Sequence, residues 1–416
     1  MPIKNHINFL KEVFFYTLTA FGGPQVHYGI LLKKFVYQKN YLTEQELVEY
    51  NSMCQILPGA SSTQLITLIG YKKGGLPLAI LTFIIWILPA CTIMGALSFF
   101  VTTFKDKQNI LLIFRFFEPM AIGFLLYAAF NSRKVSVYNT ITVIILLAST
   151  IITYLFFKTP WVFPALIILA GISTNFSNKR IPKTTDVSIK SVKWTNLFLF
   201  IIIFSLAAFF SETARKNNWE NRKAFNLFEN FYRFGSIVFG GGDVLFPMML
   251  DQYVVRPSDK EHATKNPNAI KIERNDLVTG YGIVRVVPGP VFSLASYAGG
   301  MAMSSQGKKM QALGCAIASI AIFLPSALLV FFFFPLLQYL KKFVVVYRSL
   351  EGINAAVVGF MFAAGLYLTY TLFSEQTSSV FIYSLLITLG TFFMLHFTKI
   401  PSQLIVILCI ALGWIF

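Results

Sequence analysis

The chain has 416 residues, of which 56% are hydrophobic and 16% aromatic, with 44 Phe and only 13% charged residues, about half the charged share of an ordinary soluble domain. With a mean hydropathy of +0.64, this composition excludes a soluble globule, whose surface must meet water, and equally a disordered chain, a coiled coil and a disulfide scaffold. The 35 Lys and Arg against 18 Asp and Glu leave a net charge of +17, but the basic residues stand in short clusters between apolar runs, the pattern of membrane topology signals rather than of a nucleic-acid partner.

In chain order, the first 20 residues lack a clean apolar run ending in a small-residue cleavage site, so no cleavable signal peptide is expected. Residues 9–36 and 43–70 follow, moderately apolar, rich in Gly and Pro, with charges mid-segment. They read as two broken spans, because non-helical backbone at membrane depth is tolerated only where it is buried in protein or lines a cavity. Runs 76–103, 109–130, 135–157 and 160–176 are each about long enough for a ~30 Å hydrocarbon core. The polar, basic stretch 177–194 has no apolar period and reads as a linker. Residues 195–225 supply a connecting span (195–211) and a loop. A second pair of broken spans, 226–254 and 274–302, precedes the runs 310–338, 349–371, 378–396 and 400–416.

The broken pairs repeat one another. Phe21-Gly22-Gly23, Leu47-Val48 and Pro58-Gly59 return as Phe239-Gly240-Gly241, Leu277-Val278 and Pro288-Gly289, at an offset of 218 that grows to 230. The polar insertion around 256–271 absorbs the difference. Gly70 and Gly300 continue the series, then Leu88-Pro89 and Leu324-Pro325, and Gly123 and Gly359 at an offset of 236. The same motifs in the same order mark an internal duplication, with a first repeat at 1–176 and a second at 226–416.

Counting broken segments as spans gives about 13 crossings. The side that holds the N-terminus then carries nineteen basic residues against twelve, which places it in the cytoplasm. Equivalent positions are separated by seven crossings, an odd number, so the expected architecture is an all-α polytopic membrane protein built from two inverted repeats, as in many secondary transporters. A parallel repeat is the alternative, if one broken segment is only re-entrant.

In such folds the substrate meets the breaks near the midplane, where helix N-termini offer unpaired N–H groups and partial positive charge to an anion. The candidate substrate-binding residues are therefore Gly22, Gly23, Gly59, Gly240, Gly241 and Gly289 at the breaks. Ser62, Thr63 and Gln64 join them in the polar run Ala60-Ser61-Ser62-Thr63-Gln64, where Ser and Thr could equally serve as helix caps. Arg285 lies three residues before Pro288, where the first repeat has Gln55; Gln55 and Arg285 would face one central region, and an Arg there could hold an oxyanion by two parallel hydrogen bonds. A structural pair of Arg285 with Glu46 or Asp276 is the competing reading, and Arg115 with Glu118 has the spacing of an ordinary ion pair on one helix face. A proton-coupled carrier needs a group that changes protonation; His27, Glu46, Glu118 and Asp276 are the candidates.

The cysteines, Cys54, Cys91, Cys315 and Cys409, lie in apolar or near-apolar stretches without metal-ligand spacing; free thiols, no metal and no cofactor are expected. The sequence has no P-loop, no His-Glu-x-x-His helix and no Gly-x-Ser-x-Gly elbow, so no enzyme is expected.

At the broken-helix modules the sequence resembles the chromate ion transporter family. Phe21-Gly22-Gly23-Pro24, His27, Phe35-Val36, Cys54-Gln55, Leu57-Pro58-Gly59 and Ser62-Thr63-Gln64 are similar to that family's N-terminal motif. Phe239-Gly240-Gly241-Gly242, Pro247, Gly280-Tyr281 and Pro288-Gly289-Pro290 are similar to its C-terminal one. The resemblance covers essentially the whole chain in the two-domain form. It implies an inner (plasma) membrane carrier that expels chromate by using the proton motive force, with sulfate as a competing substrate. The partners are then a small oxyanion and the lipid bilayer, with no nucleic acid; a homodimer stays open. Alternatives are a transporter or passive channel for sulfate or another anion, and an intramembrane enzyme or scaffold. Three residues depart from the family pattern: Ala60 stands where the first motif usually has a second Pro, Tyr41 where Trp is common, and Arg285 where Gln is frequent.

Overall fold

The computed structural model describes residues 6–21, 24–104, 115–156, 162–176, 194–238, 242, 244–259, 269–334, 344–374, 378–398 and 400–415. Among them there are helices and no strands. Residues 177–193 of the linker 177–194, and the break residues Gly22, Gly23, Gly240 and Gly241, lie outside the described residues.

The first half of the chain folds as α1 (Ile7–Thr19), α2 (Pro24–Leu31), α3 (Glu44–Ile56), α4 (Ser61–Phe104), α5 (Phe117–Ser136), α6 (Thr140–Leu155) and α7 (Val162–Ser173). After the connecting α8 (Thr195–Lys216), the order returns: α9 (Arg222–Ile237), α10 (Leu245–Leu250), the single turn α11 (Arg256–Ser258), α12 (Arg274–Val284), α13 (Leu294–Met303), α14 (Lys308–Phe333), α15 (Val344–Ser374), α16 (Ser378–Phe397) and α17 (Ser402–Ile415). The correspondence extends to irregularities. A π-helix follows α2 at Leu32–Gln38 and another follows α10 at Asp251–Val255. The long α4 is interrupted by non-helical Gly74 and Gly75, and Gly307 separates α13 from α14 with φ +98°.

Among the described residues, four helices are long and apolar enough to cross a membrane: α4, α8, α14 and the stretch Glu351–Leu372 of α15. Shorter apolar helices, among them Thr140–Leu155 and Ser402–Trp414, accompany them. Their outward faces are greasy. Phe198 and Phe209 of α8 are 58% and 62% exposed, which suits lipid and not water. The chain is thus a polytopic helical membrane protein.

Segments from both halves combine in each of two compact units. One takes Met1–Thr102, Ser188–Gly242 and Val284–Leu337; the other takes Thr103–Val187, Asp243–Ile283 and Gln338–Phe416. In the first, Phe9, Tyr16, Phe35 and Trp86 form a fully buried aromatic core. Here α13 meets α14 backbone to backbone, since a Cβ on Gly299 would come within 2.3 Å of the Gly314 carbonyl oxygen. In the second, α5 packs on α16 and α15 on α6. A small residue lets each pair approach: a Cβ on Gly123 would lie 2.7 Å from Thr388 O, and one on Gly359 2.9 Å from Leu146 O. Close approach through glycine is the usual packing device between helices in lipid.

Candidate functional site

The site grows out of the two Pro-Gly turns. Gly59 and Gly289 both have left-handed backbone, with φ +107° and +116°, a region that L side chains enter only at a cost. Each turn is tied to the first break of the other half. The Gly59 amide donates to Val238 O at 2.7 Å, and the Gly289 amide donates to Ala20 O at 2.9 Å. The exchange is reciprocal, as expected of elements related by a pseudo-two-fold axis.

Beyond Gly59, the Ala60 amide donates to Ser326 Oγ at 3.0 Å. The first intrahelical bond of α4 runs from Gln64 N to Ala60 O at 2.9 Å. The amides of Ser61, Ser62 and Thr63 therefore form the first turn, whose N–H groups have no partner within a helix. The residue before Ser61 is Ala60, whose methyl cannot cap them. A small, partly open cavity of about 20 Å³ lies at this helix start, lined by His27, Ala60, Ser61, Ser62, Gly242, Pro290, Val291 and Phe292, room for about one water.

His27 is 1% exposed. Its Nε2 lies 3.0 Å from Ala20 O and its Nδ1 3.1 Å from Ser62 Oγ. A carbonyl oxygen only accepts, so Nε2 carries the proton; in the neutral ring, Nδ1 then accepts from the Ser62 hydroxyl. Trp86 braces this corner. Its ring stacks on Tyr16 at 4.9 Å, meets His27 edge-on at 5.3 Å, and its Nε1 donates to Thr63 Oγ1 at 3.0 Å. The Gln64 amide nitrogen donates to Pro58 O at 2.9 Å, which closes the turn from the helix side.

Of the residues singled out from sequence, His27 and Ser62 line the cavity; Gly59, Gly289, Thr63 and Gln64 are near neighbours in the chain of lining residues but do not line it themselves. Arg285 stands half-buried in the turn after α12 and is not among the lining residues. The side chain of Gln55 lies outside the described residues, as do Gly22, Gly23, Gly240 and Gly241. Glu46 closes the capping box of α3 with Thr43 and pairs with Lys72. Glu118 meets Arg274 at 3.2 Å. Asp276 sits in the first turn of α12, where its charge favours the helix dipole.

Sequence reasoning missed Trp86 and Ser326. Ser326 had a signal, since it follows Leu324-Pro325 just as Ala90 follows Leu88-Pro89. It also missed one buried carboxylate, Asp251, which pairs with Arg256. Glu351, an acid the sequence does single out within a span, is buried and accepts from the Asn139 side chain. The cysteines are free thiols, and the described residues hold no cluster of three or more His, Cys, Asp or Glu that could bind a metal.

Two sets of broken helices, tied together by their Pro-Gly turns beside a small cavity that His27 and Ser62 line, define a polytopic membrane protein of the transporter class. The chain belongs to the chromate transporter family, whose profile matches residues 7–174 and 225–414. It is 23% identical over 409 residues to an uncharacterized transporter of Methanocaldococcus jannaschii, covering 96% of this chain and 91% of that one. It is 23% identical over 349 residues to a chromate transport protein of Cupriavidus metallidurans, covering 82% and 77%. No solved structure matches significantly.

Proposed function

We propose that this protein is a secondary carrier of a small tetrahedral oxyanion, chromate first and sulfate-like anions second, and that it expels the anion across the plasma membrane by using the proton motive force. The observation that carries this reading is the helix start at Ser61. Ser61 and Ser62, at the first turn of α4, line a cavity together with Gly242 and Pro290 of the second half. Such a start binds an anion by N–H groups and by the dipole, without a fixed positive charge. Hydroxyls and amides of this kind stabilise oxygen atoms of a dianion yet let it leave, which a carrier needs.

In this reading Gly59 and Gly289 allow the backbone to approach the anion, and Gly22, Gly23, Gly240 and Gly241 do the same at the first breaks. Thr63 and Gln64 hold the helix start in place. Arg285, with Gln55 as its counterpart, gives the approach a positive field. The repeats are inverted, the N-terminus is cytoplasmic, and one broken pair rocks against the other in alternating access. Among the acids and His27, the imidazole at the cavity takes the proton, since Glu46 and Glu118 are engaged in ion pairs. The chemistry is binding and release; no covalent step is part of it.

Uptake of radiolabelled chromate into inverted membrane vesicles tests the reading. Saturable uptake that competes with sulfate and collapses with an uncoupler is the expected result. No flux from well-inserted protein would overturn it.

A further inference from the structure

The two nitrogens of His27 have different freedoms. Nε2 is held by Ala20 O, which can only accept, so it keeps its hydrogen whether the ring is neutral or charged. Nδ1, facing Ser62 Oγ at 3.1 Å, is where a proton comes and goes. Ser62 is 8% exposed and lines the cavity. With the ring neutral, the Ser62 hydrogen points to Nδ1 and only its lone pairs face the cavity. With the ring charged, Nδ1–H donates to Ser62 Oγ and the hydroxyl hydrogen must turn away from the ring.

We propose that His27 and Ser62 form a polarity switch that makes proton and anion bind together: a proton on Nδ1 reverses their hydrogen bond, aims the Ser62 hydrogen into the cavity and sets a positive charge beside it. The proposal rests on the oxyanion reading above and deepens it, by naming how the proton is coupled.

The surroundings of His27 support this. From α1 it meets the Ala20 carbonyl and Tyr16, whose hydroxyl donates to the His27 carbonyl oxygen at 3.4 Å. From α4 it meets Ser62 and Trp86. Across the cavity lie Gly242, Pro290, Val291 and Phe292. Tyr16 is the one titratable group among these described neighbours, and none of them is charged. A buried imidazolium needs a counter-charge. In this proposal the transported anion supplies it. Each charge then stabilises the other, which makes the coupling positive and, by linkage, reciprocal.

The test uses purified full-length protein in detergent and sulfate as the probe, since sulfate stays a dianion across the range in which histidine titrates, about pH 5 to 8. Sulfate affinity is measured across that range, and proton uptake on adding sulfate is followed with an indicator in weak buffer. Wild type should bind sulfate at least about fivefold more tightly at the acid end, the low end of ordinary site-to-site coupling, and should take up protons as it binds. His27→Gln should bind with no dependence on pH and take up none. Ser62→Ala, which keeps the imidazole, should bind more weakly and lose most of the acid-to-neutral ratio, while Ser62→Thr restores it. Sulfate binding whose pH dependence and proton uptake survive His27→Gln would overturn the switch and leave the oxyanion carrier standing. If His27→Gln does not yield monodisperse protein, a full acid-to-neutral ratio in Ser62→Ala overturns the switch alone. No binding of sulfate or chromate by wild type at any pH would overturn both.

Discussion

The Ala60 amide donates to Ser326 Oγ across 266 positions of sequence, and the second half shows why. The position equivalent to Ala60 is Pro290, which has no N–H, and the position equivalent to Ser326 is Ala90, which has no acceptor. The hydroxyl is present on the side where an amide needs it and absent where a proline removes the need. This accounts for the departure at Ala60 from the proline expected there. Ser326→Ala should cost about 1–3 kcal/mol by leaving a buried N–H bare. In the background of Ala60→Pro, the same change should cost close to nothing. A double-mutant cycle on unfolding in SDS measures the coupling; additive costs would refute it.

Gly59→Ala should be among the most damaging small changes in the chain. Its Cβ would fall 2.1 Å from Ser326 Oγ and sit on a φ of +107°, and the backbone strain alone is worth about 1–3 kcal/mol. Gly289→Ala meets the Ala90 methyl at 2.9 Å on a φ of +116° and should lower stability by a similar amount. The fraction of monodisperse protein after graded heating reports both.

Arg285→Gln tests the field near the cavity. If Arg285 gives the anion a positive field, its loss weakens binding by about 1–2 kcal/mol, the scale of one charge acting through an effective dielectric near 20. The KM for chromate should therefore rise roughly 5- to 30-fold while protein level and maximal flux hold. An unchanged KM would remove Arg285 from the site.

If one proton leaves with each chromate dianion, one net negative charge moves outward. An inside-negative potential favours that by about 2.3 kcal/mol per 100 mV, while an outside-acid pH gradient opposes it. In vesicles with imposed gradients, export should follow membrane potential and slow under an opposing pH difference. Acceleration by outside acid would indicate exchange of anion for proton.

Trp86 is placed to report the state of His27, 5.3 Å away edge-on. Charged imidazole quenches indole emission, so the share of fluorescence lost in Trp86→Phe should dim on acidification in wild type. It should stay constant in His27→Gln. The substitution also removes the donor to Thr63 Oγ1, worth about 0.5–1.5 kcal/mol of stability.

The repeated Phe-Gly-Gly and Pro-Gly motifs made the duplication and the breaks legible, because glycine and proline speak for the backbone wherever they stand. Gly59 and Gly289 do share one left-handed conformation. Ser62 and His27 were legible as polar residues near a break, but not as partners, since 35 positions separate them. Ser326 and Trp86 were not legible as parts of the site. Their roles depend on which helices meet, and a serine or tryptophan in an apolar run carries no mark of its neighbour. The ion pair of Glu118 with Arg274 was hidden for the same reason. The π-helices at Leu32–Gln38 and Asp251–Val255 also left no compositional trace.

The crossed bonds, Gly59 to Val238 and Gly289 to Ala20, bear on how the gene could be cut. Severing the chain within 177–194 leaves each fragment holding one donor and one acceptor whose mates lie on the other. Neither fragment closes a cavity by itself. The two, made as separate polypeptides in one cell, should find each other and restore transport, whereas either alone should be cleared as an unassembled subunit.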